Sequence, residues 1–169
     1  MELMTSDAAV IEFVRGAFSD CPKPEHFTNY DHCEECQEHD DVLRSREVDS
    51  LAIKDVGNGC WDPLCFTSAE GLAYFFPALA RLVLAEPTER FGWYGPQFLF
   101  HLRYHGQRNR FLMYSTAEQK MAVVALLKHI GATRQDQLAN WVQVDELQAA
   151  IGLWSETHPG DDDELGESL

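Results

Sequence analysis

Cys65-Phe66-Thr67-Ser68-Ala69-Glu70-Gly71-Leu72-Ala73-Tyr74-Phe75-Phe76-Pro77-Ala78-Leu79-Ala80-Arg81-Leu82-Val83-Leu84 is the stretch whose reading decides the fold. Leu72, Phe75, Phe76, Leu79, Leu82 and Val83 recur at helical spacing and form one broad apolar face. Thr67-x-x-Glu70 has the spacing of a capping box, in which a hydroxyl and a carboxylate each satisfy a backbone N–H at a helix start. Ala69, Ala73, Ala78 and Ala80 let neighbouring elements approach closely. Pro77 falls inside the run, where it lacks a donor and crowds the preceding turn, so a kink is expected there. The stretch therefore reads as the central helix of the core.

Upstream of it, Trp61-Asp62-Pro63-Leu64-Cys65-Phe66 is a compact aromatic turn, and Gly57-Asn58-Gly59 breaks the chain. Asp49 or Ser50 can cap a short helix over Leu51, Ile53 and Val56. The polar run from Asp31 to Asp41 predicts the solvated face of a helix reaching about Arg46. Ser6 to Phe18 is amphipathic, and Cys21-Pro22-Lys23-Pro24 stops it. Downstream, Gln97 to Tyr104 reads as a short helix. Ser115-x-x-Glu118 repeats the capping signal before a helix running to Ile130, and Gly131 stands where a left-handed cap belongs. A last helix is expected over Asp136 to Ile151. From Ser155 to Leu169 the only fixed charges are acidic, which predicts a disordered tail behind a single domain of residues 1–154. Nothing alternates as a multi-stranded sheet must. The expected fold is all-α, an irregular bundle of about six helices around the Pro-kinked one.

Charge narrows the partners. The 169 residues carry 28 Asp and Glu against 13 Lys and Arg, a formal net of −15, which repels phosphate backbones and argues against nucleic acid as a ligand. The same field attracts a basic protein. The start, Met1-Glu2-Leu3-Met4-Thr5, has no secretory pattern, and no apolar run approaches the ~20 residues that span a bilayer. With five cysteines, an odd count, the expectation is a reducing compartment, the cytoplasm.

Trp61-Asp62-Pro63-x-Cys65-Phe66-Thr67-x-x-Glu70-x-x-x-Tyr74-x-x-Pro77-Ala78 resembles a family of small, uncharacterised helical bacterial proteins. That family shares an aromatic–Ser/Thr–x–x–Glu helix start followed by Tyr and Pro-Ala. The resemblance covers about a third of the chain, implies a helical bacterial protein, and carries over no catalytic residue.

His32-Cys33-Glu34-Glu35-Cys36-Gln37-Glu38-His39 is the richest run in ligating side chains. Cys33-x-x-Cys36 has the spacing of a zinc half-site and His39 follows by three; Cys60-x4-Cys65 can supply the remaining thiolates. A structural zinc on Cys33, Cys36, His39, Cys60 and Cys65 would tie this helix to the turn before the central one. The alternative is that Cys33 and Cys36 are small half-buried hydrophobes. A redox dithiol reads as the weaker use, because Glu34, Glu35 and Glu38 oppose a thiolate. His101 and His105, at i, i+4, offer a second metal reading beside Arg103, Arg108 and Arg110. No Gly-rich phosphate loop, G-x-S-x-G elbow or H-E-x-x-H helix is present, and no catalytic residue is assigned. Loop aromatics, Trp61, Trp93 and Tyr94 above all, with Tyr104 and Tyr114, are the expected anchors of a protein interface, with Glu34 and Glu38 at its rim. The expected function is binding of a basic protein, in its sharpest form immunity-type inhibition of a toxin that attacks nucleic acid. The alternative is a zinc-stabilised regulatory or adaptor module.

Overall fold

The computed structural model describes residues 6–142 and 144–156. Among them are nine α-helices: α1 (Asp7–Ala17), α2 (Glu34–Arg44), α3 (Ile53–Val56), α4 (Ala69–Leu84), α5 (Gly95–Arg103), α6 (Arg110–Tyr114), α7 (Ala117–Thr133), α8 (Gln135–Trp141) and α9 (Val144–Ser155). Single 3-10 turns lie at Pro63–Cys65 and Gly106–Arg108, and the described residues contain no strand beyond an isolated bridge between Thr88 and Gly92. The all-α expectation holds, with more and shorter helices than the sequence suggested. No helix of the described residues is long and apolar enough to cross a membrane.

α4 occupies the core as its apolar pattern dictates: Leu72, Phe75, Phe76, Leu79, Leu82 and Val83 are all buried, and Pro77 lies inside the helix with them. α1 packs on α4 and α7, α9 packs on α7 and α5, α6 packs on α4, and the 63–65 turn packs on α2. Aromatic rings fill the joints, with Phe76 4.8 Å from Phe18 and 5.2 Å from Phe111, and Phe111 5.1 Å from Trp154.

Both helix starts lie one residue later than expected, for one reason. Each is written with two adjacent hydroxyls, and the two divide the work. Thr67 Oγ1 donates back to Pro63 O at 2.8 Å, closing the preceding turn, while Ser68 accepts from Gly71 N and caps α4. Ser115 Oγ likewise donates to Phe111 O at 2.7 Å, while Thr116 and Gln119 form the capping box of α7. Glu70 and Glu118 stay in the first turns, where they favour the helix dipole without forming the boxes. Gly131 is not a cap, since α7 runs on to Thr133.

The expected last helix is two helices, broken after Trp141. α6 has no apolar period long enough to announce it. Asn109 builds it by accepting from Phe111 N and Leu112 N, while its amide donates to His101 O and Tyr104 O. Of the expected tail, Ser155 belongs to α9 and Glu156 follows it; 157–169 lie outside the described residues.

Asp40 corrects the solvated reading of the 31–41 run. It is 1% exposed, accepting from Phe27 N at 2.6 Å and Thr28 N at 3.1 Å through Oδ1, with Oδ2 2.7 Å from His26 Nδ1. It staples the loop before α2 to the helix. A buried carboxylate is tolerated here because each oxygen has a partner.

Candidate functional site

α2 and the 61–66 segment build a face of mixed aromatic and acidic character. His39, on the inner side of α2, is 1% exposed; its Nε2 makes no hydrogen bond and stands 3.5 Å from Glu35 Oε1. The rings of Trp61 and Phe66 cover this imidazole at 4.8 and 5.0 Å, and are themselves 44% and 41% exposed. One buried ring thus supports two surface rings. Glu34 and Glu38 are exposed on the same helix, with Glu35 half-buried between them.

The face continues. An open depression of about 420 Å³ runs from His26, stacked on Tyr30 at 3.8 Å, past Phe66 to Cys65 and Arg110. Cys65 and Arg110 also line a smaller cavity of about 140 Å³, walled by Phe100, Tyr104 and His101. Phe100 and Tyr104 pair at 5.1 Å and are both exposed. Arg110 holds the segment between the two hollows, donating from Nε to Thr67 O at 2.8 Å and from a terminal nitrogen to Leu64 O at 2.9 Å.

Two clusters among the described residues bring metal-ligating atoms within 4.8 Å of one another, and neither is the expected set. The first is His32, Cys33 and Cys36. His39 does not join it, being sealed beneath Trp61 and Phe66, and neither Cys60 nor Cys65 belongs to it. Cys33 is not on the helix but caps it, its Sγ accepting from Cys36 N at 3.4 Å. Three donors at one end of α2 therefore replace the five-residue zinc site read from the spacing.

The second cluster is Asp62, Cys65 and His101, at the cavity edge. Asp62 is buried and fully engaged: Oδ1 accepts from Leu64 N at 2.9 Å, and Oδ2 faces Gln97 Nε2 at 3.0 Å and His101 Nε2 at 2.8 Å. This carboxylate caps the 3-10 turn and ties it to α5, a structural task. Cys65 is exposed as a residue, but partial desolvation of its thiol at the cavity edge and then the neighbouring Asp62 charge push it up to about 11, Arg110 opposing them, so it is a poor nucleophile at neutral pH. His105 takes a left-handed conformation beyond the end of α5 and packs tilted against Tyr104 at 4.0 Å, while His101 turns to Asp62 and Cys65.

Trp93 and Tyr94, read as surface anchors, are 3% and 2% exposed. Trp93 Nε1 donates to Val83 O at 2.8 Å, fastening the loop to the end of α4. Gly92, at φ +67°, makes the turn that folds this indole inward, and the Trp141 ring lies so close over it that a side chain at 92 would collide. Of the expected anchors, Trp61, Tyr104 and Tyr114 stand at the surface. Phe66 and Phe100 join them; the clue to Phe66 was its place in the aromatic turn before the central helix.

Comparison of the chain with protein-family models, with curated proteins and with solved structures finds no significant match.

Proposed function

We propose that this protein binds another protein, a basic one, on the face formed by Trp61, Phe66 and the acidic edge of α2. The observation that supports it most is the packing of Trp61 and Phe66 on His39, which holds two large aromatic rings half in solvent beside Glu34, Glu35 and Glu38. Binding hot spots favour such rings inside a polar rim, and a net charge of −15 selects a cationic partner. The immunity-type version takes that partner to be a toxin that attacks nucleic acid, with carboxylates occupying the place of phosphates in its active site.

The experiment uses a panel of purified basic nuclease toxins, with acidic proteins of similar size as controls. Association with a true partner should slow as salt rises, since long-range attraction acts before docking. Glu34→Lys with Glu38→Lys should slow it further and flatten that dependence. Trp61→Ala should instead speed dissociation and weaken affinity about thirtyfold, roughly 2 kcal/mol. Binding no tighter than the acidic controls, or binding indifferent to salt and to both variants, overturns the reading.

A further inference from the structure

The start of α2 gathers two thiols and an imidazole that the docking face does not use. Cys33 is exposed and Cys36 is buried one turn behind it. The backbone of Cys36 is fixed, its carbonyl accepting from Thr28 Oγ1 at 2.6 Å, whereas Cys33 is the last residue of a loop. His32 Nδ1 stands 3.8 Å from Cys36 Sγ, and the three ligating atoms lie within 4.8 Å of one another. One thiol is thus presented to solvent, a second waits behind it, and an imidazole nitrogen lies beside the second.

We propose that Cys33 and Cys36 form a thiol–disulfide exchange site, in which Cys33 attacks a disulfide presented from solvent and Cys36 resolves the product. In the first step the Cys33 thiolate forms a bond to one sulfur of a small-molecule or peptide disulfide. The original S–S bond breaks, and the departing thiolate takes a proton from water. In the second, Cys36 gives its proton to His32, which returns it to solvent, and the Cys36 thiolate attacks Cys33 Sγ; the mixed disulfide breaks and the second thiolate leaves, protonated by solvent. Two electrons and two protons pass from the dithiol to the disulfide. The oxidised product is a Cys33–Cys36 bond closing one helical turn.

Exposure sets this order, Cys33 in solvent and Cys36 behind it, and the local electrostatics run the same way. The Cys36 backbone N–H, then His32 and the Cys36 thiol, hold Cys33 below the ordinary thiol value. Cys36 is raised, first by its hydrogen bond with Cys33 and then by burial, with Cys33 and Glu35 charges adding to it. The carboxylates that argued against a thiolate therefore bear on the resolving thiol rather than on the attacking one. A thiol capping a helix is met by backbone N–H dipoles whatever charges follow it in sequence.

The full chain is equilibrated in glutathione buffers from fully reduced to fully oxidised, with chelator present, then quenched with iodoacetamide and mapped by peptide mass. Formation of a Cys33–Cys36 disulfide while Cys60, also exposed, stays reduced is the expected result. In reduced protein Cys33 should be alkylated about tenfold faster than Cys60. Cys36→Ser should accumulate glutathione on Cys33, and Cys33→Ser should abolish both adduct and disulfide. Serine at 33 retains a capping oxygen, so the fold of that variant is preserved and a thermal melt verifies it. Alkylation of Cys33 no faster than that of Cys60, with no Cys33–Cys36 bond in oxidised buffer, overturns the proposal. So does chelator-free protein that carries one zinc and shields both thiols from alkylation.

Discussion

His32–Cys33–Cys36 and Asp62–Cys65–His101 draw on nearly the same side chains and give their cysteines opposite characters. Cys33 caps a helix, and the backbone N–H aimed at its sulfur makes the thiolate easier to form. Cys65 ends a 3-10 turn beside a carboxylate already committed to three donors, and is pushed to about 11. What separates them is a backbone N–H aimed at the Cys33 sulfur, against desolvation first and the Asp62 charge second at that of Cys65. A carboxylate bound into the scaffold still repels a thiolate beside it; a carboxylate one residue along an exposed helix need not reach the thiol at all.

The second cluster is structural and the first, as proposed, chemical, and stability measurements separate the two roles. Phe75→Ala sets the scale, with an expected loss of about 3–5 kcal/mol in urea unfolding for a fully buried ring of α4. Asp62→Ala should approach it, at about 2–5 kcal/mol, because Gln97 and His101 are left facing an empty site. Cys33→Ser should stay within about 0.5 kcal/mol. If Asp62→Ala cost as little as Cys33→Ser, the two clusters would be alike and the structural assignment would fail.

Smaller effects appear with pH. Alkylation of Cys33 should reach its plateau at a lower pH than that of Cys65, which should still be climbing as pH nears 11. Linkage adds a stability signature for Cys65. Its folded value is raised from 9.0 to about 11, so through that window the unfolded chain has released a proton that the folded chain retains. Stability is therefore full below pH 9 and falls as pH rises toward 11. Cys65→Ser should flatten that part of the decline, and a slope identical to that of the parent protein would show that the thiol is not held as described. Smallest of all, Cys60→Ser should change neither stability nor exchange.

The core was readable because α4 repeats its apolar residues from Leu72 to Val83, about three turns, and no rival period exists in that stretch. Its start was readable to within one residue. Paired hydroxyls hid the rest, since nothing in Thr67-Ser68 or Ser115-Thr116 says which oxygen closes the old turn and which opens the new helix. α6 escaped notice because a side chain, Asn109, builds it rather than a period. Trp93 and Tyr94 looked like surface residues because aromatics between two glycines have no intrinsic inside or outside; the turn at Gly92 and the carbonyl of Val83 decide it. The thiol pair was visible as spacing alone. Its character depended on Cys33 being a cap rather than a helical residue, a difference of one position that exchanges a row of carboxylates for a backbone dipole.

Arg110 reaches across from α6 to take the carbonyls of Leu64 and Thr67, with that of Cys65 at 3.4 Å. The segment it clasps carries Phe66 and borders both hollows of the face. Ordering a loop of this kind on binding would cost about 1–2 kcal/mol of backbone entropy for each residue fixed. Here that freedom was surrendered when the chain folded, so an arriving partner meets a surface with little left to lose and more of the contact energy remains as affinity.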